Sequence, residues 1–208
     1  MQVSAEIRWF WRAKCPDAIE TWFRSGSTQP GGGSAREDEY LHEPTQLEFG
    51  LKRRGKNIGV EAKGLVAVLP QPSNAVPFFG LIEIWCKWQL LTVALRGLPT
   101  VPTRKIRWLR KFNTSGEEPS EIPLGEDEAP VDGRVLPGLG CNVELTRVEL
   151  CGEQVWWTLG FEAFGELSSV ERSLRNTLSI MATRQPPPLG TGELLNYPTW
   201  LSRHVNKQ

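Results

Sequence analysis

The chain has 208 residues, long enough to bury one substantial core. Lysine plus arginine equals aspartate plus glutamate, 24 of each, so no global basic field exists to draw duplex nucleic acid or an acidic membrane. An apolar fraction of 39% excludes wholesale disorder, and no apolar run approaches the ~20 residues of a membrane-spanning helix.

The first predicted strand, 3–11, alternates Ser4, Glu6 and Arg8 with Ala5, Ile7 and Trp9. Charges at Glu6 and Arg8 leave no apolar core for an export signal. Cys15, Cys86, Cys141 and Cys151 lack C-x-x-C spacing, so the expectation is free thiols in a reducing cytoplasm. A short helix opens at Pro16-Asp17, runs to about Arg24 and turns Ile19, Trp22 and Phe23 inward. Gly31-Gly32-Gly33 then breaks the chain before a strand at 36–42, in which Tyr40 reads as a packing residue and Asp38 as a turn residue.

Strands at 46–54 and 58–69 flank a Gly55-Lys56-Asn57 hairpin turn. The polar face of the first carries Glu48, Lys52 and Arg54, and that of the second Glu61 and Lys63. After a breaker at 70–77, the strand at 80–90 sets Glu83 and Lys87, read as a structural ion pair, opposite Ile82, Ile84, Cys86 and Trp88. The strand at 105–112 alternates Lys105 and Arg107 with Ile106 and Trp108. The stretch 113–140 is acidic, rich in Gly and Pro and without period, which reads as a long loop or lid. Strands at 140–150 and 154–164 meet at a Cys151-Gly152-Glu153 turn and place Asn142, Glu144, Thr146, Thr158 and Glu162 on polar faces. A helix over 166–181, capped by Ser168 or Ser169, repeats Val170, Leu174, Leu178 and Met181. Pro186-Pro187-Pro188 ends that region, and a last helical piece at 197–205 docks through Tyr197, Trp200 and Leu201.

An open sheet with one wet face would show the same alternation. Eight strands, however, suffice to close a barrel around one small ligand. The bulky apolar faces, rich in the chain's nine Trp, also need the helices as cover. With the apolar face outside, the charged face lines the lumen, where charges must be paired, bound to metal or complementary to a ligand. The expected fold is a mainly β (α+β) single domain: a closed antiparallel eight-stranded barrel with a polar lumen and helices packed outside. Bases with a few carboxylates suit a polyanion escorted by a divalent cation.

The ordered set of motifs resembles the CYTH superfamily, the triphosphate tunnel metalloenzymes. S-A-E-I-R at 4–8 sits where that family carries E-x-E-x-K, and E-D-E-Y-L at 37–41 resembles its D-x-Y segment. L-K-R-R-G with V-E-A-K-G resembles its basic strand pair, and K-I-R-W-L-R-K-F its later K-x-R strand. N-V-E-L-T and W-T-L-G-F-E resemble the late acidic strands, and L-N-Y-P-T-W-L the terminal segment. Three positions depart from the pattern: Ser4 and Gly160 stand where carboxylates are usual, and Arg8 stands for lysine.

The resemblance implies a tunnel that binds an inorganic or organic triphosphate or polyphosphate, with metal-dependent phosphohydrolysis as the associated chemistry. Phosphate oxygens would fall to Arg8, Lys52, Arg54, Lys63, Lys105 and Arg107. Glu6, Glu144 and Glu162 would hold Mg²⁺ or Mn²⁺, one ion rather than two, because two acidic positions are lost. Glu6, Arg54 and Glu162 would then be the catalytic set. The alternatives are a catalytically impaired protein that binds polyanions or nucleotides, and a ligand-free interaction scaffold.

Overall fold

The computed structural model describes residues 1–26, 28–55, 59–70, 75–91, 95–152 and 154–205. Ten strands and three helices follow in the order β1 (Gln2–Arg12), α1 (Asp17–Arg24), β2 (Gly31–Leu41), β3 (Phe49–Arg54), β4 (Val60–Pro70), β5 (Leu81–Leu90), β6 (Thr100–Asn113), β7 (Ser120–Ile122), β8 (Gly140–Leu150), β9 (Gln154–Gly165), α2 (Leu167–Thr183), β10 (Glu193–Leu194) and α3 (Tyr197–His204). Eight strands close in the order β1-β5-β4-β3-β2-β6-β8-β9, and β9 returns to pair with β1. Every pairing is antiparallel; β7 and β10 are short additions on β6 and β1. The expected barrel is present.

Alternation decides which way each wall faces. Val3, Ala5, Ile7, Trp9 and Trp11 of β1 join Val143, Leu145, Leu159 and Phe161 in one cluster under Val170, Leu174, Leu178 and Met181 of α2. Ile19, Trp22 and Phe23 of α1 complete that outer core. Burying this many large apolar side chains at ~25 cal/mol per Å² is the main force holding the helices to the barrel.

The lumen differs from end to end. At one end Phe10, Val148, Trp156 and Val101 pack on Trp200 and Leu201 of α3, with Phe10 stacked on Trp200 at 5.1 Å. The helix is started by Asn196, whose side chain accepts from the Thr199 backbone N–H at 2.8 Å. This plug leaves polar side chains in the rest of the lumen.

Several predicted bounds shift. Strand β2 begins at Gly31, so the glycine run is strand rather than breaker, and Asp38 lies in mid-strand with its carboxylate buried. Glu48 falls in a turn ahead of β3. Strand β6 begins at Thr100, five residues before the predicted start, because Pro102 masks the period without stopping the pairing. The α2 N-cap is Glu166; Ser169 sits inside the helix and donates its hydroxyl to the Glu166 carbonyl at 3.0 Å. The 113–140 stretch contains β7 and an antiparallel bridge from Leu124 to Pro130. Ile58, Lys56 and Asn57 of the first predicted hairpin, Glu153 of the second, and 71–74 of the predicted breaker lie outside the described residues. Among the described residues no helix is long and apolar enough to cross a membrane.

Candidate functional site

The open part of the lumen is a cavity of about 460 Å³, in the size range of small-molecule sites. Among the described residues, nine Lys and Arg side chains line it against seven Asp and Glu. All nine sequence-predicted site residues belong to that lining: Glu6, Arg8, Lys52, Arg54, Lys63, Lys105, Arg107, Glu144 and Glu162. The barrel brings them together because strand pleat puts every second residue inside.

Glu6 and Glu162 face each other across the β1–β9 pair. Their repulsion is relieved by Lys87, whose ammonium lies 2.9 Å from Glu6 and 2.5 Å from Glu162. Lys63 adds a second cation to Glu6 at 3.1 Å, and Ser4 donates its hydroxyl to Glu6 at 2.8 Å. Burial works to raise the Glu6 pKa, but Lys63 and Lys87 outweigh it and hold the carboxyl well below the usual range. The same two carboxylates push Lys87 upward against its own burial.

One strand pair further, Arg8 donates to Glu144 at 2.9 Å and to the Thr158 hydroxyl at 2.9 Å. Arg107 donates to the other Glu144 oxygen at 2.8 Å. Burial again opposes the charge, and Arg107 and Arg8 overcome it, so Glu144 stays ionised far into acid. The Arg8 guanidinium lies on Gly160 and 5.2 Å from the Tyr197 ring centroid.

The opposite wall is more basic. Arg36 and Lys105 are register partners across β2 and β6; Asp38 pairs with Arg54, and Tyr40 with Lys52, across β2 and β3. Among the described residues, only two acids come within ion-pair distance of these four cations. Glu61 holds Lys52 at 2.7 Å and Arg54 at 3.6 Å, while Asp38 lies 3.2 Å from Arg36 and 3.8 Å from Lys105. Burial pushes Lys52 down to about 8, and Arg54 and Lys105 add repulsion that Glu61 does not offset. Burial likewise holds Lys105 well below the ordinary lysine value. Its ammonium donates to the Tyr40 hydroxyl at 2.5 Å and sits 3.8 Å from the Tyr197 centroid. Arg54 is the most open of the set, its side chain 41% exposed at the rim.

The three proposed metal ligands do not share a point. Glu6 and Glu162 are bridged by Lys87, and Glu144 is held apart by Arg8 and Arg107. Among the described residues, no three His, Cys, Asp or Glu side chains gather as a cation-binding group. This donor set fits ammonium and guanidinium partners rather than a resident Mg²⁺ or Mn²⁺.

The lumen holds several residues beyond those that the strand motifs single out. Strand parity reads Lys87 as the ion-pair partner of Glu83, but Glu83 instead accepts from Trp85 Nε1 at 3.0 Å and Asn196 Nδ2 at 2.7 Å. Arg36 shares parity with Tyr40 and was legible on that ground. Glu128, from the 113–140 stretch, bonds Arg107 and had no periodic signal. No protein-family model and no curated protein matches this chain.

Proposed function

We propose that the barrel binds a compact, multiply charged anion of the triphosphate or polyphosphate class in its lumen. The observation that carries this reading is the convergence of Arg36, Lys52, Arg54 and Lys105 on one cavity wall, where among the described residues only Asp38 and Glu61 come within ion-pair distance of them. Desolvated like charges repel, and Lys52 at about 8 registers that cost. Phosphate oxygens would supply the missing negative charge, with Arg54 and Arg36 offering planar forks and Lys52 and Lys105 point charges. Lys63 and Arg8 face the same cavity from the side that carries Glu6 and Glu144.

Binding without turnover is favoured over hydrolysis. A hydrolase of this kind needs free carboxylates to hold a metal or direct water, and Glu6, Glu144 and Glu162 are each committed to a lysine or arginine. Any Mg²⁺ would arrive as the counter-ion of the ligand. Free thiols on all four cysteines suit the reducing cytoplasm proposed from the sequence.

Calorimetry with inorganic triphosphate and ATP, with and without Mg²⁺, beside a phosphate-release assay, tests the reading. Binding in the absence of Mg²⁺ with no release is the expected result, and Arg54→Ala weakens it. Absence of binding by either polyphosphate removes the proposal, and metal-dependent release restores the hydrolase reading.

A further inference from the structure

We infer that the acidic turn at 124–130 is a built-in competitor for the anion site. The Glu128 carboxylate holds the Arg107 guanidinium where an anionic ligand would take it, and a highly charged ligand displaces it. This inference rests on the polyanion reading above and adds the element that sets its selectivity.

The Arg107 fork is fully engaged. Nε donates to Glu128 Oε1 at 3.0 Å, Nη2 donates to Glu128 Oε2, and Nη1 donates to Glu144 Oε1 at 2.8 Å. Two carboxylate oxygens on the Nε–Nη2 edge copy the way two phosphate oxygens meet arginine. The two carboxylates are not equivalent. Glu144 is part of the wall, buried, and shared with Arg8. Glu128 reaches in from a turn outside the barrel, and its side chain remains 28% exposed.

The turn has a made seat. A Cβ at position 31 would lie 2.6 Å from the Gly125 carbonyl oxygen and 2.7 Å from Leu124 Cβ. A Cβ at position 32 would lie 2.5 Å from the Arg107 carbonyl oxygen and 3.0 Å from Glu128 Oε1. Gly31 and Gly32 therefore let the turn lie on β2 and let Glu128 reach Arg107. The turn is closed by Gly125 N–H on the Ala129 carbonyl at 2.8 Å and by Glu128 N–H on the Gly125 carbonyl at 3.0 Å. Glu128 takes φ +62°, a left-handed conformation that a non-glycine residue adopts only when its surroundings impose it.

The attachment is nevertheless light. Its apolar footing is a cluster of three residues, Leu109, Ile122 and Leu124, separate from the two larger cores. An element so held opens at far lower free energy than the barrel does. Behind Glu128 a smaller cavity of about 160 Å³ shares Arg36, Lys105 and Arg107 with the main one. Glu126 and Asp127 of the same turn line that cavity too, so swinging the turn out as a unit joins these cations into one basic wall. A monoanion exchanged for a carboxylate already on Arg107 gains little. A triphosphate that also reaches Lys52 and Arg54 gains enough to displace it.

Calorimetry with inorganic triphosphate and with orthophosphate on the wild type, Glu128→Gln and Glu118→Gln tests this, with hydrogen exchange followed over 124–130. Glu118 is an exposed carboxylate of the same 113–140 stretch that lines neither cavity, and it controls for the loss of one negative charge. Glu128→Gln is expected to bind triphosphate about fivefold more tightly or better, Glu118→Gln within twofold of wild type. Triphosphate is expected to speed exchange at Glu128 and Ala129 in the wild type. If the wild type binds and Glu128→Gln binds equally or more weakly, the competitor role is wrong. Slowed exchange on binding means that the turn closes over the ligand, and overturns it too. If the wild type itself binds no triphosphate, the polyanion reading falls and takes this one with it. Faster exchange over 124–130 in Glu128→Gln than in wild type, without ligand, is required in every case; equal rates sink the latch on their own.

Discussion

Arg8 lies flat on Gly160, its register partner across β1 and β9, so closely that a Cβ at position 160 would stand 2.3 Å from the guanidinium carbon. Arg8 and Gly160 are therefore a coupled pair: the planar fork needs the space that a side chain at 160 would fill. From that seat Arg8 reaches Thr158 and Glu144 together.

Gly160→Ala forces Arg8 off its seat. The expected cost is about 1–3 kcal/mol in chemical denaturation, the range for overpacking a well-filled site. Replacing arginine by the slimmer lysine removes the clash, so Arg8→Lys with Gly160→Ala should cost less than the two single changes summed. Strict additivity in that double-mutant cycle would refute the steric coupling of the two positions.

Lys87 stands between two glutamates that would otherwise face each other. Lys87→Met leaves the buried Glu6, still held by Lys63, facing the half-buried Glu162, and is expected to destabilise by about 3 kcal/mol near neutral pH, the low end for breaking a buried pair. Adding Glu162→Gln should recover part of that loss, and the Lys87→Met protein should gain stability on mild acidification as a carboxylate takes up a proton. A loss below about 1 kcal/mol would show the bridge to be ornamental.

Arg110 lies on the outer face of β6, buried, and donates to the backbone carbonyls of Phe23 at 2.9 Å, Ser25 at 2.5 Å and Thr28 at 2.9 Å, and to Glu121 at 2.6 Å. It collects the unpaired carbonyls where α1 ends. Arg110→Lys keeps the charge but cannot reach all of these acceptors, so it should lower the unfolding free energy by about 2 kcal/mol or more. Triphosphate affinity measured on the same variant should stay within twofold of wild type, since this face is outside the lumen.

Lys52 and Glu61 make opposite pH signatures. Lys52 titrates at about 8 in the folded chain and near the ordinary lysine value in the unfolded one. Between these values the unfolded state holds the extra proton, so Lys52 makes stability rise with pH; below about 8 both states are protonated and its unfavourable burial is fully felt. A bound polyanion favours the charged amine, so binding at pH 8.5 should take up protons. Calorimetry in two buffers of different ionisation enthalpy would show it, and Lys52→Met should abolish most of the difference. Glu61, held at about 2 against burial by Lys52 and Arg54, stabilises above the ordinary carboxylate pKa, and that contribution is lost as pH falls towards 2. Glu61→Gln should therefore flatten the acid unfolding curve in that window.

Much of the barrel was legible because strand parity is a local property. The alternation in β1, β8 and β9 sorts wall from lumen without knowledge of neighbours, and the bounds of β8 match the structure from Gly140 to Leu150. The predicted site residues all reached the cavity for the same reason. Parity also assigned Lys87 and Glu83 to one face correctly, yet could not pair them, because the partner of Lys87 comes from β1 and β9. Glu128 was invisible for a different reason: an aperiodic turn carries no facing information until it is seen lying on Gly31 and Gly32.

What the sequence alone determined, then, was the wall: which residues alternate, which face is charged, and that helices must cover the other. Those follow from pleat geometry and hydrophobic burial, which act over two to four residues. What only the tertiary structure decided was how the lumen charges are partnered. Glu6 and Glu162 share a lysine, Glu144 shares two arginines, and Arg36, Lys52, Arg54 and Lys105 have, among the described residues, two acids at ion-pair distance between them. Coulomb interaction in a desolvated lumen depends on distances of a few ångströms between strands far apart in the chain, and barrel closure alone sets those distances.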